Sequence, residues 1–273
     1  MTRVTWQGFI PKSMKEGDSG GMKTISIITV TFNAADTIKR TLDSIAAQTC
    51  RDFEHVIIDG GSTDGTMEVV NAYKDGNPGI QVVAQSEPDK GLYDAMNKGL
   101  KRATGDYVCF LNAGDKLHQP QTLQHIVEKI AASSSKPAVV YGETDIVDAD
   151  GRFLRHRRLQ APEKLTWKSF RKGMLVCHQS FYALRTIAPD YDLQYRFSAD
   201  FDWCVRVMRQ AELNNMMLLN TGEVLTDYLA EGMTTQNHKA SLKERFNIMA
   251  HHYGWFSTVL MHAWFMIRSV IKK

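Results

Sequence analysis

Apolar and polar positions along the first 117 residues predict strands and helices in regular succession. Residues 25–32 are β-branched and apolar, which is typical of a strand buried on both faces. Residues 38–48 then place apolar side chains at helical spacing, and Asp36 is positioned to cap that helix. The same order continues with strands over 53–58, 80–84 and 108–111 and with helices over 92–103 and from Thr66. This order predicts an α/β fold with a mostly parallel, twisted sheet flanked by helices.

The pattern becomes less regular after Asp115. It predicts helices over 122–132 and 200–208, strands over 138–142, 177–183 and 216–220, and a hairpin that turns at 148–151. The second half therefore departs from the simple succession of the first.

The C-terminal segment Trp255–Ile271 has only His262 and Arg268 as strongly polar residues, and Lys272 and Lys273 follow it. Its seventeen residues stand at the lower limit for spanning a bilayer. Its tryptophans and terminal lysines suit a helix lying at a membrane surface. A buried core helix or a dimer contact explains the same pattern, and both alternatives stay open.

Composition narrows the class of protein. The 273 residues are 43% hydrophobic, which is enough for a large packed core, and a net charge of +3 is too mild for a dedicated nucleic-acid binder. The four cysteines contain no CxxC pair, so we expect a reducing compartment: the cytoplasm, or the cytoplasmic face of the membrane. Residues 1–21 lack a clear period and are expected to form a flexible leader, with Met22 as an alternative start.

Polar residues follow the predicted strands at their carboxyl ends, where open α/β sheets bind ligands. Strand 108–111 runs into Asn112-Ala113-Gly114-Asp115. A carboxylate beside a glycine suits a hard cation that holds a phosphate, and an ordinary Asx turn is the alternative. Thr31 and Asn33 follow the first strand, and Asp59 ends the second.

Five motifs stand in order along about residues 23–235. They are Val30-Thr31-Phe32-Asn33, the octapeptide 59–66, the segment 89–99, Asn112-Ala113-Gly114-Asp115 and Ala199-Asp200-Phe201-Asp202-Trp203. Together they resemble the family 2 inverting glycosyltransferases of the GT-A fold, of the kind acting in bacterial surface polysaccharide biosynthesis. The resemblance implies a catalytic domain over 22–235, with a nucleotide-sugar half (22–117), an acceptor and base half (118–235), and a helical extension over 236–273.

Site roles follow from the resemblance. It implies donor binding by one group of residues: Thr31, Asn33, Asp59, Asp64, Lys90 and Asn112. It further implies Mg²⁺ or Mn²⁺ at Asp115 and a general base at Asp200. The chain departs from the family pattern at Asn112, where an acid is usual, and at Ala199, where a glutamate is usual. Metal dependence is therefore less firmly implied than the fold.

Several of these residues have a structural alternative. Asp64 binds a ribose or caps the helix at Thr66, and Lys90 contacts the donor or is merely exposed. His178 faces the acceptor or a metal, or is a satisfied buried histidine; Asp202 holds Asp200 or an acceptor. Asp200 itself would otherwise serve as a helix cap, and the loop over 232–237 could close over the donor.

The resemblance implies transfer of a hexosyl or N-acetylhexosaminyl group from a UDP- or GDP-sugar to a glycan or lipid-linked hydroxyl, with inversion. A catalytically inactive nucleotide-sugar-binding protein is the alternative that the two departures favour. A nucleotidyltransferase or a nicotinamide dehydrogenase would need a glycine-rich loop after the first strand, and Asn33-Ala34-Ala35-Asp36 does not supply one.

Overall fold

The structure is a computed structural model that describes residues 23–230 and 238–271. The predicted leader, the alternative start at Met22 and the predicted lid over 232–237 lie outside the described residues.

The first half has the predicted succession of strands and helices. Its elements are β1 (Ile25–Thr31), α1 (Ala35–Ala46), β2 (Phe53–Asp59), α2 (Thr66–Gly76), β3 (Gln81–Ser86), α3 (Leu92–Arg102) and β4 (Tyr107–Phe110). The second half contains β5 (Lys116–Leu117), α4 (Thr122–Ala132), β6 (Val139–Val147), β7 (Phe153–His156), β8 (Phe181–Leu184), α5 (Ala199–Leu213), β9 (Leu218–Leu229), α6 (His238–Tyr253) and α7 (Trp255–Ile271).

One sheet runs through both halves in the order β3-β2-β1-β4-β8-β6-β9-β5, and β7 pairs with β6. The four strands β3, β2, β1 and β4 are parallel. Beyond β4 the sheet is mixed, because β8 is antiparallel to both β4 and β6 while β6 and β9 are parallel. The predicted α/β fold is confirmed, and its parallel part is the part that carries the first candidate residues.

The core lies on both faces of this sheet. One cluster includes side chains of α3 and α5, and the other includes side chains of α1, α2 and α4. A column of rings fixes α5 to the sheet: Tyr191 stacks on Trp203 at 5.1 Å between centroids and on Tyr93 at 5.4 Å, while Phe110 meets Trp203 edge-on. Each such pair contributes about 0.5–1.5 kcal/mol beyond burial. These ring contacts therefore pack the N-terminal part of α5 against β4.

Asn97 of α3 supports the same column. Its Nδ2 donates to the carbonyl oxygen of Tyr191, and its Oδ1 accepts the Tyr191 N–H. These two hydrogen bonds tie the loop before α5 to α3.

Two local predictions were wrong. Asp36 does not cap α1: the N-cap is Ala34, without a side-chain hydrogen bond, and Asp36 lies in the first turn, where the helix dipole still favours a carboxylate. Residues 178–180 form a 3₁₀ turn, and β8 begins only at Phe181. All three residues of the turn are polar and yet buried, because their side chains bond within the protein.

Helix α7 has the bounds that the apolar pattern predicts. Met261 and Phe265 pack against the core. The opposite face exposes large apolar side chains, among them Phe256 (79%) and Leu260 (71%). None of the helices among the described residues is both long and apolar enough to cross a bilayer.

Candidate active site

Asp115 and Asp200 meet at one turn of the chain. Asp115 lies just beyond the end of β4, and Asp200 is the second residue of α5. The turn His178–Ser180 runs between them: Gln179 Nε2 donates to Asp115 Oδ2 over 2.8 Å, and His178 Nδ1 lies 3.3 Å from Asp200 Oδ2. The sequence placed these acids 85 positions apart, and the fold brings them to adjacent side chains of a single turn.

Asp115 is held in a buried position. Its Oδ1 accepts the Leu229 N–H over 3.0 Å, and Oδ2 accepts from Gln179. Gly114 before it has φ +98°, where a side chain would strain the backbone, and an added Cβ would lie 3.1 Å from Leu229 Cδ2. Burial raises the pKa of Asp115 to about 6, although both hydrogen bonds act in the opposite direction. A nearby cation would stabilise the ionised form of this buried carboxyl group.

Asn112 stands beside the same turn. Its Nδ2 lies 3.5 Å from His178 Nε2, on the side of the ring opposite the Nδ1 that faces Asp200. Among the described residues, Asn112 Oδ1 is buried without a hydrogen-bond partner. A carboxylate and a free amide oxygen are the donor set that Mg²⁺ or Mn²⁺ takes alongside diphosphate oxygens and water, so the residues present fit the implied metal.

Asp200 is mostly buried and has two long contacts. Tyr93 Oη donates to Asp200 Oδ1 over 3.4 Å, and His178 Nδ1 faces Oδ2. Burial pushes the pKa of Asp200 upward, but the hydrogen bond and charge of His178, assisted by Arg245, hold that pKa below its usual value. Asp200 is therefore ionised at neutral pH and able to accept a proton.

The carboxyl ends of β1 and β2 form the neighbouring part of the site, because Thr31 and Asp59 are register partners. Asp59 is fully buried, and its carboxylate accepts from the Gly61 and Ser62 N–H groups and from Ser86 Oγ. It thereby organises the loop after β2. Thr31 Oγ1, in contrast, is buried without a partner among the described residues.

Two other loop residues are used within the protein. Asn33, at φ 46°, accepts the Thr63 N–H with its Oδ1. Asp64 accepts the N–H groups of Ala35 and Thr66, which is the helix-end contact expected for its structural alternative. Hydrogen bonds from the Thr66 hydroxyl and the Ala35 N–H lower the pKa of Asp64. Both residues shape the loops that follow β1 and β2.

Lys90 and Asp202 are not part of the group that meets at the turn. Lys90 is exposed, and within the described ranges only its backbone N–H has a hydrogen bond, to Asp94. Asp202 is buried and binds His252 over 2.7 Å and Arg206 over 2.6 Å. Its contacts therefore join α5 to α6 and not to Asp200.

The sequence motifs did not identify Gln179 as the partner of Asp115, or Tyr93 as the partner of Asp200. Tyr93 lies inside the segment 89–99, so the motif itself contained the signal. Three side chains of the types that ligate metals, His118, Asp145 and Asp227, have their candidate ligand atoms within 4.8 Å of one another. There Asp227 is paired with both Lys116 and His118, and His156 is 2.8 Å from Asp145, so cationic and imidazole groups already compensate both acids.

A sheet of this topology, with a buried acid after β4 and a second acid opening α5, is the arrangement expected of a glycosyltransferase of the GT-A fold. The family model described as "Glycosyl transferase family 2" matches residues 26–188. The chain belongs to this family.

Relatives agree with this assignment, and solved structures share the fold. The "PGL/p-HBAD biosynthesis glycosyltransferase" of Mycobacterium bovis is 38% identical over 185 residues, which cover 66% of this chain and 68% of the relative. Residues 1–349 of S. aureus TarS in complex with UDP superpose with a TM-score of 0.64 at 16% identity, over 89% of this chain and 70% of that one. The Pyrobaculum calidifontis mannosyltransferase PcManGT, in complex with GDP-Man and Mn²⁺, gives a TM-score of 0.60 at 15% identity, over 89% and 75%.

Proposed function

We propose that this glycosyltransferase moves a sugar from a UDP- or GDP-sugar to a hydroxyl of a glycan or lipid-linked acceptor, with inversion at the anomeric carbon. The observation that carries the proposal is the convergence of Asp115 and Asp200 on the His178–Gln179 turn. One acid stands where a diphosphate would be neutralised and the other where a proton would be accepted.

Inversion needs one base on the side of the sugar opposite the leaving group. Asp200 removes the proton of the acceptor hydroxyl while that oxygen attacks the anomeric carbon. The bond from this carbon to the diphosphate oxygen breaks, and the nucleoside diphosphate leaves with the electron pair. His178 supports the reaction because it keeps Asp200 ionised through the Nδ1 contact.

Asp115 and the free Oδ1 of Asn112 would hold Mg²⁺ or Mn²⁺. When bound, the metal supplies positive charge to the diphosphate leaving group. Gln179 keeps one oxygen of Asp115 oriented, and the Leu229 N–H keeps the other. The Mn²⁺ in the PcManGT complex supports this choice of cation.

The donor's nucleoside would lie over the ends of β1 and β2. The unpartnered Thr31 hydroxyl is the group there with capacity for a new hydrogen bond. Asp59, Asn33 and Asp64 would act mainly by holding the loop in place, since their oxygens are already occupied. Lys90, exposed at the rim, would reach a phosphate only by moving its flexible side chain.

The apolar face of α7 would lie on the cytoplasmic membrane surface, near lipid-linked acceptors. Phe256 and Leu260 are one helical turn apart, and Ile267 continues the same exposed stripe. The segment Trp255–Ile271 contains no acidic residue, and basic residues follow it. Flotation of the wild-type protein and of Leu260→Asp with vesicles of phosphatidylglycerol tests this; a dimer in sedimentation velocity without vesicle binding refutes it.

Thermal unfolding with a panel of UDP- and GDP-sugars tests the donor, because a ligand of the native state raises the unfolding temperature. We expect one hexose or N-acetylhexosamine donor to stabilise the protein with Mn²⁺ present, and Asp115→Asn to lose the dependence on Mn²⁺. No stabilisation by any donor refutes the proposal. Stabilisation with neither transfer nor donor hydrolysis identifies the inactive binding protein instead.

A further inference from the structure

Helix α6 lies outside the segment matched by the family model, yet one of its side chains binds the backbone at the start of α5. Glu244 accepts three backbone N–H groups: Arg196 and Phe197 at 2.7 Å and Ser198 at 2.6 Å. These are the three residues that precede α5, and Asp200 follows two positions later. A single carboxylate thus binds the backbone that presents Asp200.

The usual N-cap side-chain hydrogen bond is not formed at the start of α5. Ser198 is the N-cap of α5, but its hydroxyl makes no cap hydrogen bond and instead pairs with Ser241 Oγ of α6 over 3.1 Å. On the other side of Asp200, Asp202 binds His252 of α6. Helix α6 therefore contacts α5 both before and after the base.

Asp200 gains little orientation from its own side-chain contacts, which measure 3.3 and 3.4 Å. Its position depends on the backbone that carries it. A displacement of about 1 Å at a reacting group can cost about a hundredfold in rate.

We propose that Glu244 is a positioning residue for the general base, so that α6 belongs to the active site. The inference rests on the proposed function, and it deepens it: Glu244 acts through the 196–198 backbone and touches no substrate. The nucleotide half of the molecule is left unchanged by this contact, so donor binding should not depend on it.

The test compares Glu244→Gln with Glu212→Gln. Glu212 lies at the other end of α5 and accepts from Trp167 Nε1 over 2.7 Å; glutamine keeps an acceptor oxygen for that N–H, so the same substitution removes a charge from α5 without affecting the backbone before Asp200. Glutamine at 244 would turn an N–H donor toward the backbone N–H groups. We expect kcat for transfer to fall about tenfold or more in Glu244→Gln, with donor KM unchanged within about twofold. Glu212→Gln should keep kcat.

Amide hydrogen exchange provides a second measurement that needs no turnover. Exchange at residues 196–198 should accelerate in Glu244→Gln and stay unchanged in Glu212→Gln. If Glu244→Gln does not fold, Glu244→Asp takes its place with the same expectations. An unchanged kcat, or an equal loss of kcat in both variants, overturns the role of Glu244. Wild-type protein that transfers no sugar from any donor overturns the proposed function itself.

Discussion

Asp200 and Asp202 lie on one turn of α5, and the structure predicts opposite consequences for the same substitution at each. Asp200→Asn keeps the shape of the side chain and loses only two long contacts, at 3.3 and 3.4 Å. Asp202→Asn weakens two short contacts between buried or half-buried charges, at 2.6 and 2.7 Å. The first should remove activity and spare stability, and the second should cost stability.

The magnitudes follow from the two environments. Loss of a general base lowers the rate about 10²- to 10⁴-fold, which equals roughly 3–5 kcal/mol of barrier. Removing one partner of a buried ion pair costs about 3–5 kcal/mol, and asparagine can still accept one hydrogen bond, so we expect about 3 kcal/mol for Asp202→Asn. At roughly 2–4 °C per kcal/mol, the unfolding temperature should fall by about 6–12 °C.

Transfer kinetics and thermal unfolding of both variants, with the donor selected in the panel, provide the measurement. Asp200→Asn should unfold within about 2 °C of the wild-type protein, because no short contact is lost. Wild-type turnover in Asp200→Asn would refute its assignment as base. A large stability loss in Asp200→Asn with none in Asp202→Asn would contradict the contacts described for α5.

Three further predictions concern other parts of the molecule. Gly142→Ala places a Cβ 2.5 Å from the Glu223 carbonyl oxygen, so urea unfolding should show a loss of about 1–3 kcal/mol. The hydrogen bond to Asp227 raises the pKa of His118 above 6.5. Its stabilisation is complete below pH 6.5 and is lost as the pH rises through the folded-state pKa; relative to His118→Gln, the unfolding temperature should follow that course. Burial raises the pKa of Asp115 from 3.8 to about 6. Compared with Asp115→Asn, the metal-free protein should lose stability as the pH rises from 3.8 to about 6. Stabilisation by Mn²⁺ should appear as the pH passes about 6. A pH-independent difference between the two proteins would contradict this.

Much of the fold could be predicted from local pattern. The strands β1 to β4 are apolar runs that end at polar residues, and parallel pairing then places Thr31 and Asp59 side by side. Their side-chain partners could not be predicted, because hydrogen bonds such as that of Asp59 to Ser86 depend on how the loops close. The sequence singles out these residues, but it does not divide them between donor binding and loop structure.

The second half of the chain was harder to predict for a different reason. The segment at His178 also fits a strand by its sequence, and its contacts with the two acids span 64 and 22 positions of sequence. Glu244 gave no signal, since an acid near the start of a polar helix is common on a surface. Only the packing of α6 on α5 shows that its carboxylate meets three backbone N–H groups.

The amide of Asn97 acts on its loop as a neighbouring strand would: its one donor and one acceptor are matched to the carbonyl oxygen and the N–H of a single residue, Tyr191. Aspartate has the same outline but no N–H to give, and it would leave the Tyr191 carbonyl oxygen unpaired beside a buried negative charge. The amide at position 97 thus supplies the hydrogen bonds that a neighbouring strand would otherwise give to this loop. The asparagine of the 89–99 motif is explained by this structural role, without any contact to sugar.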